Sequence, residues 1–262
     1  MMIRSFTTTL VALLALGSAL PAYAATPAAP IERLFYYNGT DLGKQSLFIH
    51  PNEIDVFAPQ TYGVDAKGKI SGSIPKDILT FTKKNDIKVV PLVVNKGFNR
   101  TDGEKFLKSS SAQKKAIAAL VKEGKKNGYA GYQLDFEQMY EKDRSKYTAF
   151  VKNFADALHK ENMTLSVAVI AQVSESEKDY LPGVWPNLAG VYDYKQIGTY
   201  ADSITLMSYD DPESKGPIAG YAWLERVIKW SLSQVPASKL SLGVGTYYWQ
   251  WDDVTGKRVG IG

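Results

Sequence analysis

From residue 31 onward the apolar residues alternate between two periodicities. Short runs rich in Val, Ile, Leu and aromatic residues read as strands over 33–38, 54–58, 87–95, 129–137, 163–171, 202–209 and 240–247. Between them, apolar residues recur at three- and four-residue spacing. That spacing predicts helices over 74–85, 109–127, 142–162 and 220–235, and a short helix or turn at 194–200. Ser73 is placed to cap the first helix, with Pro75 in its first turn. Gly128 suits the left-handed stop after residue 127. Phe150, Phe154, Ala157 and Leu158 make the buried stripe of the 142–162 helix, and Pro236 ends the last one. Strands alternating with helices imply parallel pairing, with the helices packed outside. Seven such units predict an α/β fold of the (β/α)8 TIM-barrel kind. No Gly-x-Gly-x-x-Gly follows the first strand, which argues against a dinucleotide-binding sheet. No eighth strand is legible, and 252–262 reads as a turn or the start of a hairpin. The barrel, over 31–262, is therefore expected to be C-terminally incomplete, with two unpaired sheet edges.

The first thirty residues follow a different pattern. Arg4 precedes an apolar stretch over 10–20, and Ala22-Tyr23-Ala24 puts small residues before a cut after Ala24. Residues 1–24 thus read as a secretory signal peptide, and 25–30 as a Pro/Ala leader. A secreted or periplasmic location follows, with no membrane span in the mature chain.

Composition narrows the chemistry. There are 31 basic and 27 acidic residues, a formal net charge of +4, and no Lys/Arg block. Nucleic acid is not an expected partner. Cysteine is absent and only His50 and His159 are present. Thiolate chemistry, disulfides and a three-histidine metal site are excluded. No metal and no cofactor is expected. His50, before Pro51, reads as a loop residue, and His159 as a cation at a helix C-terminus. Asp252-Asp253 reads as a hydrated turn.

One strand breaks the apolar rule. In the stretch Tyr132-Gln133-Leu134-Asp135-Phe136-Glu137, side chains alternate between faces. Tyr132, Leu134 and Phe136 would pack under the helices, which sends Gln133, Asp135 and Glu137 into the barrel. Carboxylates there are costly unless hydrogen-bonded or protonated. Their like charges should raise the pKa of one of them. Glu137, last on the strand, would stand at the C-terminal mouth, where a carboxyl of raised pKa suits a general acid. A solvated strand end is the plainer alternative.

These residues resemble glycoside hydrolase family 18, which includes chitinases and endo-N-acetylglucosaminidases. The family's fourth strand reads Asp-Gly-x-Asp-x-Asp-x-Glu. Here Gly131, Asp135 and Glu137 match, while Ala130 and Gln133 replace the first two acids. Met207-Ser208-Tyr209-Asp210 resembles the family's Met-x-Tyr-Asp after strand six. Leu242-Gly243-Val244-Gly245-Thr246-Tyr247 resembles its Gly-Ile-Pro-x-Tyr, with Gly245 for Pro. Strand three ends Val93-Val94-Asn95 in place of Ser-x-Gly-Gly. In that it resembles the bacterial spore-cortex and peptidoglycan-related branch.

The resemblance implies a glycosidase acting on N-acetylated polysaccharide of peptidoglycan or chitin type, and the chain is expected to be a monomer. It implies substrate-assisted retaining hydrolysis of β-linked N-acetylglucosamine. Glu137 would be the acid, Asp135 the holder of the acetamido N–H, and Tyr209 the donor to the acetamido oxygen. Gln133, Met207, Asp210, Tyr247 and Trp249 would contact substrate or support the acids, with Gln133 hydrogen-bonding to Asp135. Tyr36, Tyr62 and Trp251 are further aromatic candidates for a sugar cleft. The alternative is a glycan-binding module on the same barrel without turnover.

Overall fold

The computed structural model describes residues 31–214 and 216–261. The expected signal peptide over 1–24 and the leader over 25–30 lie outside the described residues. The chain begins with strand β1 (Leu34–Tyr37), helix α1 (Asp41–Ile49), the long strand β2 (Val56–Val64), the short β3 (Ile70–Ser71) and α2 (Lys76–Lys84). Strands β4 (Lys88–Val89) and β5 (Leu92–Asn95), helices α3 (Arg100–Lys108) and α4 (Ser110–Asn127), and β6 (Gly131–Leu134) follow. Next come α5 (Arg144–His159), β7 (Thr164–Ile170), α6 (Tyr194–Tyr200), β8 (Ser203–Met207) and α7 (Tyr221–Gln234). The last elements are β9 (Leu240–Leu242), β10 (Trp249–Trp251) and β11 (Arg258–Ile261).

Seven strands pair in parallel in the order β1-β2-β5-β6-β7-β8-β9, with β4 also on β2 and β3 folded back on it. This is an α/β barrel wall left open. Among the described residues β1 and β9 are its edges, as the missing eighth strand implies. A groove lined by Leu34, Tyr36, Thr205, Leu242 and Val244 lies between them. The stretch after Trp251 is a turn inside the antiparallel β10–β11 hairpin. Asp252 Oδ1 caps that turn, accepting from the N–H groups of Val254 and Thr255.

Several boundaries differ from the sequence reading. The second strand does not stop before Pro59. The last pair with β1 is Tyr37 with Pro59, and pairing with β5 starts at Gln60. The missing proline N–H falls at the changeover between ladders, where it costs least. The third strand is not continuous, because Val90-Pro91 splits it into β4 and β5. Helix α2 is not capped by Ser73; Pro75 is its N-cap residue and makes no side-chain cap bond. Ser109 and Gly128 do cap α4, the latter at φ 69°. The seventh strand is shorter than the apolar run, ending at Leu242. Helices α1 and α3 fall in stretches to which the sequence pattern assigns no element. Thr40 and Asn99 cap them through their side chains.

The main core lies between sheet and helices. Phe150, Phe154 and Leu158 of α5 are fully buried, with Ala155 in place of the half-buried Ala157. Phe150 meets Phe106 of α3 edge-on at 5.0 Å and Phe136 at 5.6 Å. Tyr132 packs on Phe154 and donates its hydroxyl to the Leu120 carbonyl at 2.7 Å. Leu165, Val167, Val169, Ile204 and Leu206 complete this outward face of β7 and β8. Tyr62 belongs here as well. It is 1% exposed and bonded to the Tyr129 hydroxyl, so it does not face a sugar cleft.

Gly131 of β6 faces Thr164 of β7 with no room for a side chain. A Cβ there would run into the carbonyl oxygen and hydroxyl of Thr164. Gly131→Ala is expected to lower stability by about 2 kcal/mol or more, as overpacking against backbone does. The urea midpoint at unchanged m-value reads this, and a wild-type midpoint would show that the strands can part.

Candidate active site

The parallel strands end around a cavity of about 460 Å³. Its walls include Tyr36, Asp135, Glu137, Ala168, Met207 and Tyr209. This is the end of a parallel barrel at which catalytic groups collect. β6 and the extended residues just after it put Gln133, Asp135 and Glu137 on the inward side, as strand alternation requires.

Gln133 forms part of the floor. It lies opposite Ser166 in the β6–β7 register. Its Nε2 donates to Ser166 Oγ at 3.1 Å and to Thr205 Oγ1 at 3.0 Å. The expected bond from this amide to Asp135 is absent among the described residues, because register turns it toward β7 and β8. Its Oε1 is buried with no partner among the described residues.

Asp135 is 7% exposed. Burial, and after it the charge of Glu137, raises its carboxyl from 3.8 to about 7. Glu137 is half-buried and raised too, by burial first and by Asp210 second. Both carboxyls are thus shifted. Desolvation outweighs the like-charge effect anticipated from sequence, and the deeper Asp135 holds its proton into the neutral range.

Glu137 lies past the last residue of β6. The ladder runs through Asp135 N–H to the Val93 carbonyl at 2.9 Å. At the next rung the Glu137 N–H donates instead to Asn95 Oδ1 at 3.0 Å, and Asn95 Nδ2 donates to the Glu137 carbonyl at 2.9 Å. Gln138 then turns into the left-handed region at φ 57°. Arg100 Nε donates to its carbonyl at 2.8 Å, and the guanidinium lies over the Tyr140 ring at 4.8 Å. Tyr192, fully buried, donates to the Phe136 carbonyl at 2.7 Å.

Tyr209 follows the end of β8. Ser208 Oγ donates to the Gly243 carbonyl at 2.7 Å, which pins the turn. A Cβ on Gly243 would stand 2.6 Å from the Leu206 carbonyl oxygen and 3.0 Å from the Tyr209 ring. The glycine therefore makes room for that ring. Burial, with Tyr36 and Asp135 nearby, raises the Tyr209 phenol, so its O–H is intact at neutral pH.

A second depression, of about 830 Å³, is lined by the residues that follow Glu137 and Tyr209, namely Gln138 and Asp210. Gln138, Asp210, Tyr247, Trp249, Trp251 and Arg258 line it. The Tyr247 hydroxyl donates to Asp210 Oδ1 at 2.7 Å, and the Arg258 guanidinium lies over Trp249 at 4.7 Å. Of the residues singled out from sequence, Gln133, Asp135, Glu137, Met207 and Tyr209 share the first cavity. Asp210, Tyr247 and Trp249 line the second.

Three contributors escaped the sequence reading. Ser166 and Thr205 were legible in principle, as polar residues at inward positions of otherwise apolar strands. Asn95 carried no such signal, because its part depends on where two strands end relative to each other.

Comparison with known proteins agrees with the architecture. The chain is 28% identical over 225 residues to the uncharacterized glycosylase YvbX of Bacillus subtilis, covering 83% of this chain and 63% of the relative. It is 24% identical over 166 residues to the cortical fragment-lytic enzyme of the same organism, covering 62% of this chain and 37% of the relative. It therefore spans less than two thirds of either protein's length. A crystal structure of a chitinase from Chromobacterium violaceum superposes with a TM-score of 0.73 at 27% identity, covering 82% of this chain and 68% of that one. The family model of glycosyl hydrolases family 18 matches residues 44–260, and the chain belongs to that family.

Proposed function

We propose that this protein hydrolyses β-linked N-acetylglucosamine-containing glycans of peptidoglycan or chitin type, with retention, using the substrate's own acetamido group as nucleophile. The observation that carries the reading is the meeting of Glu137, Asp135 and Tyr209 around one cavity at the barrel mouth. Family 18 is a recognised exception to glycosidase schemes with an enzyme carboxylate as nucleophile.

Glu137 gives its proton to the glycosidic oxygen as the bond from that oxygen to the anomeric carbon breaks. The acetamido carbonyl oxygen closes onto the anomeric carbon, forming an oxazolinium ion. Asp135 accepts the acetamido N–H and stabilises the positive charge. The Tyr209 hydroxyl donates to the acetamido oxygen and holds it in line. Water then loses a proton to Glu137 and adds to the anomeric carbon, opening the ring. The sugar to be attacked fills the first cavity. The leaving portion lies in the second, along Tyr247 and Trp249. The sequence over 1–24 supports an extracytoplasmic location, and no helix among the described residues is long and apolar enough to cross a membrane.

The test is release of reducing ends from peptidoglycan and from N-acetylglucosamine oligomers by wild-type protein. Turnover of these, and none of glucosides lacking the acetamido group, is the expected result. A thiazoline analogue of N-acetylglucosamine should inhibit competitively. Glycan binding without turnover would leave only a binding module. A covalent sugar ester on Asp135 would replace the acetamido nucleophile with the enzyme's own.

A further inference from the structure

We infer that Asn95 is the positioning residue of the proton donor: its amide sets where the Glu137 carboxyl stands in the wall of the first cavity. The inference rests on the hydrolase reading above. The primary amide of Asn95 acts on Glu137 as a peptide group would. Its Oδ1 takes the Glu137 N–H at 3.0 Å and its Nδ2 gives to the Glu137 carbonyl at 2.9 Å. The pair replaces the rung that β5 and β6 would make if both continued. The backbone is thereby released from the sheet at Glu137 while keeping both its hydrogen bonds.

Rigidity makes the clamp useful. Asn95 is 1% exposed. Glu137 is followed at once by a left-handed Gln138, a conformation a non-glycine residue keeps only when its surroundings impose it. Arg100 supplies a further restraint, on the Gln138 carbonyl at 2.8 Å and on the Asn187 carbonyl at 3.0 Å. Without Asn95, the Glu137 peptide would be held only through its neighbours, by Tyr192 on the Phe136 carbonyl and Arg100 on the Gln138 carbonyl. Its carboxyl would sample several positions, and proton transfer is steep in distance.

A merely structural role and a positioning role separate by leaving group. An oligosaccharide leaves as a poorly stabilised alkoxide and needs the acid. A 2,4-dinitrophenolate leaves without it. In Asn95→Ala, kcat on N-acetylglucosamine oligomers should fall about 10- to 100-fold, with KM within about twofold. On 2,4-dinitrophenyl β-di-N-acetylchitobioside the loss in kcat/KM, which ends at dinitrophenolate release and leaves out the water step that also uses Glu137, should stay under about threefold. Equal losses in kcat/KM on both substrates would overturn the inference. Asn95→Asp adds a sign. As a neutral acid its side chain again offers one acceptor and one donor, and as a carboxylate it repels the Glu137 carbonyl. Its kcat relative to wild type should climb as pH falls, and a flat ratio counts against the clamp. Amide hydrogen exchange needs no turnover. The Glu137 N–H should exchange about tenfold faster or more in Asn95→Ala, with the β6 amides unchanged. An unchanged Glu137 rate overturns the clamp. Wild-type protein inactive on both substrates sinks the hydrolase reading instead, with the exchange result standing apart.

Discussion

Glu137→Gln should lower kcat on N-acetylglucosamine oligomers by about 10²–10⁴-fold, the range a positioned general acid contributes. Glutamine keeps the size and the backbone clamp, so KM and the melting curve should change little. Its amide can donate a hydrogen bond to the glycosidic oxygen but cannot give up a proton to it. The loss should therefore be much smaller on a dinitrophenyl glycoside in the step that forms the oxazolinium ion. The pH profile should change as well. The productive state has a single proton on the acidic pair, on Glu137 and not on Asp135. Such a pair titrates as a unit. With Asp135 raised to about 7, the alkaline limb of wild-type kcat/KM should lie near neutrality. In Glu137→Gln that limb should disappear from the residual activity. Undiminished turnover by Glu137→Gln would place the acid elsewhere, and Asp210 would be examined next.

The repeated elements of this fold were legible because each answers to a local rule. Helix α4 announces itself by eighteen residues of amphipathic spacing between Ser109 and Gly128. Strands β7 and β8 do so by apolar alternation. Helices α1 and α3 were not legible, since Gly43 and Gly103 sit inside nine-residue helices whose stability comes from packing. Pro59 and Pro91 misled in opposite directions. The first reads as a stop but lies within β2, and the second lies in an apolar run yet separates β4 from β5. At the site, the inward set Gln133, Asp135 and Glu137 followed from period two alone. What did not follow is how far each group is buried and which neighbours it meets. Asp135 is shifted chiefly by desolvation, a property of the whole barrel end, and Gln133 bonds to Ser166 and Thr205 through a register no single strand encodes. The Asn95 clamp, a contact across 42 residues, depends in the same way on where two strands end.

Asp135→Asn should trade activity for stability, in a direction fixed by the sign of the pKa shift. Asp135 is raised in the folded protein, from 3.8 to about 7. Between those values the folded state holds the proton and the unfolded state does not. The unfolded state thus binds fewer protons, and stability falls as pH rises through this window. Below pH 3.8 both states are protonated, and above about 7 both are ionised, so the contribution levels off at each end. At about 1.4 kcal/mol per pH unit the window is worth about 4 kcal/mol, an upper figure for a site that opens into a cavity. Asparagine cannot ionise, so Asp135→Asn should lose this slope and be more stable than wild type at pH 8, with little difference near pH 4. Urea unfolding at both values measures it. Wild-type and variant curves that stay parallel across the range would show that Asp135 is not buried as an acid. The functional cost runs the other way. Asparagine can still accept the acetamido N–H, but it carries no charge to set against the oxazolinium ion. The expected loss in kcat is about 10²–10³-fold, that of one preorganised electrostatic partner. A carboxylate that destabilises the fold at the pH where its charge is needed is intelligible as a catalytic group. A variant both stabilised and fully active would remove Asp135 from the mechanism.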